Sequence, residues 1–129
     1  MIIDEALLNR VSAEARESAR LRMNYNLHDS LEAKAQRLLN ALEPGTIVPV
    51  HRHRHTAETY VLLRGRMDVL FYDEAGAIQQ RFELDPLFGR YGVHIPAGQW
   101  HTLEVLTSSV ILEVKDGPYR PIEPEDLLF

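Results

Sequence analysis

The 129-residue chain has no cysteine. Disulfides, thiolate metal sites and a cysteine nucleophile are therefore excluded, and any metal must sit on His, Asp or Glu. It also lacks an 18-residue apolar run, so no membrane-crossing helix is expected. The start, "MIIDEALLNR", carries charges where a signal peptide needs an apolar stretch, and a cytoplasmic location is the expectation. A basic excess is missing as well: 14 Lys and Arg stand against 19 Asp and Glu, a net charge of −5. That argues against nucleic acid or an anionic membrane as partner. No P-loop, dinucleotide fingerprint or Ser-His-Asp arrangement is visible.

What is present is the material of one ordinary globular domain, with 45% hydrophobic and 26% charged residues. Leu7, Leu8, Val11 and Ala15 recur at helical spacing behind Asp4, a capping residue. Leu21, Met23, Tyr25 and Leu27 then alternate with Arg22, Asn24, Asn26 and His28, the two-residue period of a strand. From Asp29 to Leu42 the pattern predicts a second helix, capped by Asp29 and Glu32 and ended by Pro44-Gly45. Beyond Gly45 the chain reads as seven short strands: "TIVPVHRH", "TYVLLRG", "RMDVLFYD", "AIQQRFEL", "YGVHIPAG", "WHTLEVL" and "VILEVKDG". Strands of this kind make an all-β sandwich or barrel. The proline-punctuated tail "GPYRPIEPEDLLF" is expected to pack as an extended strap with a short last helical turn.

Three of the six histidines fall in "HRHRH", residues 51–55. A His/Arg run is often only a solvated loop. In a strand, however, His51 and His53 would point to one face while Arg52 and Arg54 turn to water. Glu58 adds a carboxylate at an odd separation from His53, so the chain must bend for both to reach one ion. Spacing alone leaves open which two of the three histidines bind. Further on, "IPAGQWHTLEV" delivers His101 from a turn holding Pro96 and Gly98.

The set Gly45, His51, His53, Glu58 and Gly65, followed by Pro96, Gly98 and His101, resembles the two metal-binding motifs of the cupin superfamily. The second motif departs from the pattern at Arg90, where glycine is usual, and at Val105, where asparagine is usual. Neither position is a metal ligand in that pattern. The segments "RLRMNYNLHD" and "QRLLNALEPGT" extend the resemblance to the small WbuC-type cupins over roughly residues 20–120. The resemblance implies a mainly β fold, a double-stranded β-helix or jelly-roll barrel with N-terminal helices. Residues 1–43 would form a helix-strand-helix extension and residues 44–129 the barrel with its strap. It implies one divalent metal held by His51, His53, Glu58 and His101. By that register His55 is a loop histidine near the mouth, and His94 has a structural or surface role.

Three imidazoles and a carboxylate suit Zn, Fe, Ni, Mn or Cu. On a six-coordinate ion they leave two positions for water or ligand oxygens, whereas a four-coordinate zinc would be closed and structural. The Arg22, Asn24, Asn26 and His28 face offers guanidinium, amides and imidazole, donors suited to a carboxylate or polyol. These features predict a metal-dependent enzyme, an isomerase or lyase, acting on a small sugar or sugar-acid-like molecule. The surface-polysaccharide setting of WbuC-type proteins enters by analogy only. A non-catalytic binding or sensor module and an Fe(II) dioxygenase are the alternatives. Apolar residues on both faces of strands, as in Val61-Leu62-Leu63 and Val69-Leu70-Phe71, predict a homodimer.

Overall fold

The Asp4 carboxylate accepts the Leu7 N–H at 3.0 Å and starts the one α-helix, α1, Glu5–Glu17. The structure, a computed structural model, describes residues 1–129. Eight strands follow: β1 Arg22–Asn26, β2 Ala35–Leu42, β3 Glu58–Arg64, β4 Met67–Tyr72, β5 Ile78–Leu84, β6 Gly92–Ile95, β7 Trp100–Val105 and β8 Ser109–Asp116. Single 3-10 turns lie at Pro86–Phe88 and Pro124–Asp126.

The strands form two antiparallel sheets, ordered β1-β2-β8-β3-β6 and β5-β4-β7. Their facing sides enclose the main core, which includes Leu42, Tyr60, Leu62, Met67, Val69, Phe71, Leu103 and Ile111. A second core lies on the outer face of the larger sheet. There Leu7, Leu8, Val11 and Ala15 of α1 cover Leu39, Ala41 and Val110, with Met23 and Tyr25 packed alongside. Arg64 fastens the helix from the sheet, donating to Asn9 Oδ1 at 2.7 Å, Ser12 Oγ at 3.0 Å and Glu5 Oε2 at 3.3 Å.

Two expected elements differ. Residues 29–42 do not form a second helix; β2 occupies Ala35–Leu42 and pairs with all of β8. Both its faces are buried, Leu38 and Leu42 toward the barrel and Leu39 and Ala41 under α1. A strand buried on both sides loses the apolar-polar alternation that marks strands, and its leucines then fit a helical stripe equally well. The predicted strand "TIVPVHRH" is also absent as a regular element. In that segment only His51 is bridged, to His101 on one side and Leu127 on the other.

Gly65 closes the β3–β4 connection at φ +96°, and a Cβ there would run into the Ser109 side chain and the Ser108 carbonyl. The tail beyond β8 crosses back over residues 50–52. Arg52 N–H donates to Asp126 O at 3.1 Å and Leu128 N–H to Val50 O at 3.0 Å.

Candidate metal centre

His51 and His101 exchange a pair of backbone hydrogen bonds, at 3.0 and 2.8 Å, which set their side chains next to each other. Their ring centroids lie 4.3 Å apart. The Pro96–Gly98 turn is tied to the same place, because Gly98 N–H donates to the His53 carbonyl at 2.8 Å. Gly98 takes φ +82°, the left-handed conformation that lets the chain reverse and send His101 back toward His51. Glu58 opens β3 and points into the barrel with Tyr60 and Leu62. One donor atom from each of His51, His53, Glu58 and His101 falls within 4.8 Å of the others.

The donor set fits a divalent cation. Nδ1 of His51 contacts the Pro49 carbonyl at 2.8 Å, and Nδ1 of His101 the Gln99 carbonyl at 2.8 Å. A carbonyl can only accept, so both Nδ1 atoms carry hydrogen, and in a neutral ring Nε2 is left with a lone pair. This orientation by a backbone acceptor is the arrangement expected of ligating histidines. Glu58 Oε1 stands 3.2 Å from His101 Nε2 and 2.9 Å from His53 Nε2. Glu58 Oε1 and His101 Nε2 are nevertheless buried without a hydrogen bond. A cation held between these two atoms would satisfy both.

Burial, and then the neighbouring His101, lowers the pKa of His51 to about 4 against the favourable pull of the Pro49 carbonyl. Burial would raise Glu58, but the imidazoles of His101 and His53 outweigh it and hold the carboxyl below the ordinary range. His51 is thus a neutral imidazole and Glu58 a carboxylate near pH 7, the ligating forms.

The other predicted residues are placed as follows. His55 is exposed on the loop before β3. His94 is exposed on β6, its Nδ1 3.0 Å from Thr59 Oγ1. Arg22 donates to the Ile47 carbonyl at 2.7 Å, and His28 Nδ1 sits against the backbone of Arg37 at 2.9 and 3.1 Å. Asn24 and Asn26 are exposed. Asn24 pairs with Asn40, which pairs with the core residue Ile111, so β1 turns these amides to the sheet face that carries Glu58.

Two residues on that face went unnoticed in the sequence. Glu113 lies opposite Tyr60 in register, is buried, and accepts from Asn40 Nδ2 at 2.9 Å. Burial, then the charge of Glu58, raises its pKa, with the Asn40 bond opposing. Lys115 lies opposite Glu58. The alternation Ile111, Glu113, Lys115 was the available signal, and it becomes meaningful once β8 is seen at the centre of the sheet.

A family model described as a domain of unknown function (DUF6016) matches residues 3–84. No curated protein matches the sequence. Among solved structures, TT1209 from Thermus thermophilus aligns with a TM-score of 0.64 at 23% identity, over 90% of this chain and 97% of that one. A cupin superfamily protein (DSY2733) from Desulfitobacterium hafniense aligns at 0.59 and 19%, over 74% and 76% of the two chains. The capsular polysaccharide assembling protein CapF from Staphylococcus aureus aligns at 0.58 and 18%, over 81% of this chain but 30% of its own length. Likeness at these identities shows the fold, a cupin jelly roll. No helix is long and apolar enough to cross a membrane.

Proposed function

The chain belongs to the DUF6016 family, and from that premise we propose that it is a metal-dependent cupin, an enzyme acting on a small, oxygen-rich sugar or sugar acid. The convergence of unpartnered lone pairs from His101 and Glu58, with His51 and His53 beside them, carries the reading. A divalent ion held there would supply Lewis acidity toward a bound oxygen. The protein's own part is to fix the imidazoles through the Pro49 and Gln99 carbonyls and to keep the carboxylate dry. Asn24 and Asn26 offer open amides along the approach, while Arg22 and His28 hold the loop and strand that frame it. The WbuC-like segments and the likeness to CapF, a capsular polysaccharide assembling protein, support a place in surface-polysaccharide metabolism. The composition supports a cytoplasmic location.

Elemental analysis of purified wild type and of alanine variants tests the centre. We expect about one equivalent of divalent metal in the wild type, loss in His51→Ala, His53→Ala, Glu58→Ala and His101→Ala, and retention in His55→Ala. Retention in His51→Ala with loss in His55→Ala would overturn the ligand set. Mass spectrometry of molecules released from the loaded protein then addresses the substrate, and a sugar acid consumed on incubation separates turnover from binding.

A further inference from the structure

Beside the metal centre a cleft of about 750 Å³ opens between the loop His53–Thr56 and the strap of residues 117–126. It reaches the metal cluster at His53 and has few apolar residues in its wall. Four cations line it: Arg52, Arg54, Lys115 and Arg120. Two of them are committed. Arg52 lies over the Trp100 ring at 4.4 Å and reaches Asp126 Oδ1 at 3.2 Å. Arg54 holds the same oxygen at 2.7 Å.

Lys115 is differently placed. It is half-buried, makes no ion pair, and stands on the barrel-facing side of β8 directly opposite Glu58. An ammonium group there faces the space between the metal ligands and the strap. Asp116, the next residue, is exposed and also lines the cleft. Glu123 is exposed on the strap. With Glu125 and Asp126, both held by Arg54, they make four acids against the four cations of the wall, a balance that disfavours a highly charged ligand such as a polyphosphate.

We infer that this cleft is the ligand subsite, and that Lys115 anchors the single carboxylate of a small hydroxy acid whose other oxygens face the cluster past His53. The inference rests on the metal-centre reading for the second half of that contact. It assigns the acid-binding role to β8, a strand distinct from the one that carries Arg22. A lysine suits this role as a compact point charge on a flexible stem that can follow a carboxylate within an open cleft.

The test is calorimetric titration of full-length, metal-loaded protein with D-glucuronate and glycolate, with D-glucose as the neutral counterpart. Binding of at least one acid, and tighter than glucose, is expected in the wild type. Lys115→Met should weaken it by about tenfold or more at unchanged metal content, and Lys115→Arg should keep most of it. Lys115→Gln, checked by circular dichroism, stands in if the methionine variant does not fold. Equal acid affinity in wild type and in the folded Met or Gln variant overturns the anchor. So does failure of both acids to bind the metal-loaded wild type, or glucose binding as tightly as glucuronate. Metal analysis on the same samples separates the two readings. Protein that takes up no metal refutes the centre, whereas bound metal with acid binding indifferent to Lys115 refutes the anchor alone.

Discussion

His101 Nε2 and Glu58 Oε1 face each other at 3.2 Å, both buried and neither hydrogen-bonded. With the His101 Nδ1 hydrogen spent on the Gln99 carbonyl, Nε2 of a neutral ring would have only a lone pair to turn toward this oxygen. In that form the metal-free protein carries a local electrostatic cost that a bound cation would remove. Glu58→Gln replaces one acceptor by an amide that can donate to Nε2. We expect this variant to lose metal and yet, compared with metal-free wild type, to gain about 1 kcal/mol of stability. Urea unfolding of both proteins after chelation checks it. A metal-free Glu58→Gln protein less stable than metal-free wild type would contradict the proposed proton arrangement.

Acid should destabilise the metal-free fold earlier than carboxylates alone would allow. Unfolded, His51 takes up a proton near pH 6.5; folded, only near pH 4. Between those values the unfolded chain binds more protons, so stability falls as pH drops through that window, by roughly 3 kcal/mol at its lower end. The depressed Glu58 adds to the loss, but only below the ordinary carboxyl range. Urea midpoints at pH 7 and pH 5 should differ in wild type, and the difference should shrink in His51→Gln.

Gly65→Ala is expected to cost about 2–4 kcal/mol. It combines a left-handed φ with a Cβ driven into Ser108 and Ser109. Thermal unfolding is the measure, and a change under about 1 kcal/mol would mean that the β3–β4 connection relaxes freely.

Light scattering at micromolar concentration should give twice the chain mass. The Val69-Leu70-Phe71 run is fully absorbed within the fold, but Leu63 on β3 and Leu87, Phe88 and Tyr91 around the Pro86–Phe88 turn remain exposed. A monomer mass would leave these side chains to another role and remove the dimer proposal.

The helix behind Asp4 and most strands were legible because their periods are clean: Met23 and Tyr25 alternate with amides, and Leu7, Leu8, Val11 and Ala15 share a stripe. The four candidate ligands stood out through a motif spacing that the fold turns into contact across 43 residues of chain, from Glu58 to His101. What could not be read was whatever depends on who lies beside whom. β2 hides among leucines because two layers bury it. A regular strand is expected to carry both His51 and His53, yet only His51 is bridged there, and the ligand atoms are gathered by the His51–His101 backbone pair and the Gly98–His53 bond. Arg22 looked free for a ligand because nothing in its own segment shows that the Ile47 carbonyl would claim it.

The bridge from Leu127 to His51 gives the tail a leverage that its distance from the chemistry conceals. The His51 segment is clasped on one side by β7 and on the other by residues 126–128, so the strap acts as a tether that keeps one ligand at high local concentration beside its partners. Nicking the chain anywhere in residues 117–126 would leave every ligand and every spacing intact. The metal would nonetheless exchange faster, because the clasp would become a bimolecular contact instead of an internal one.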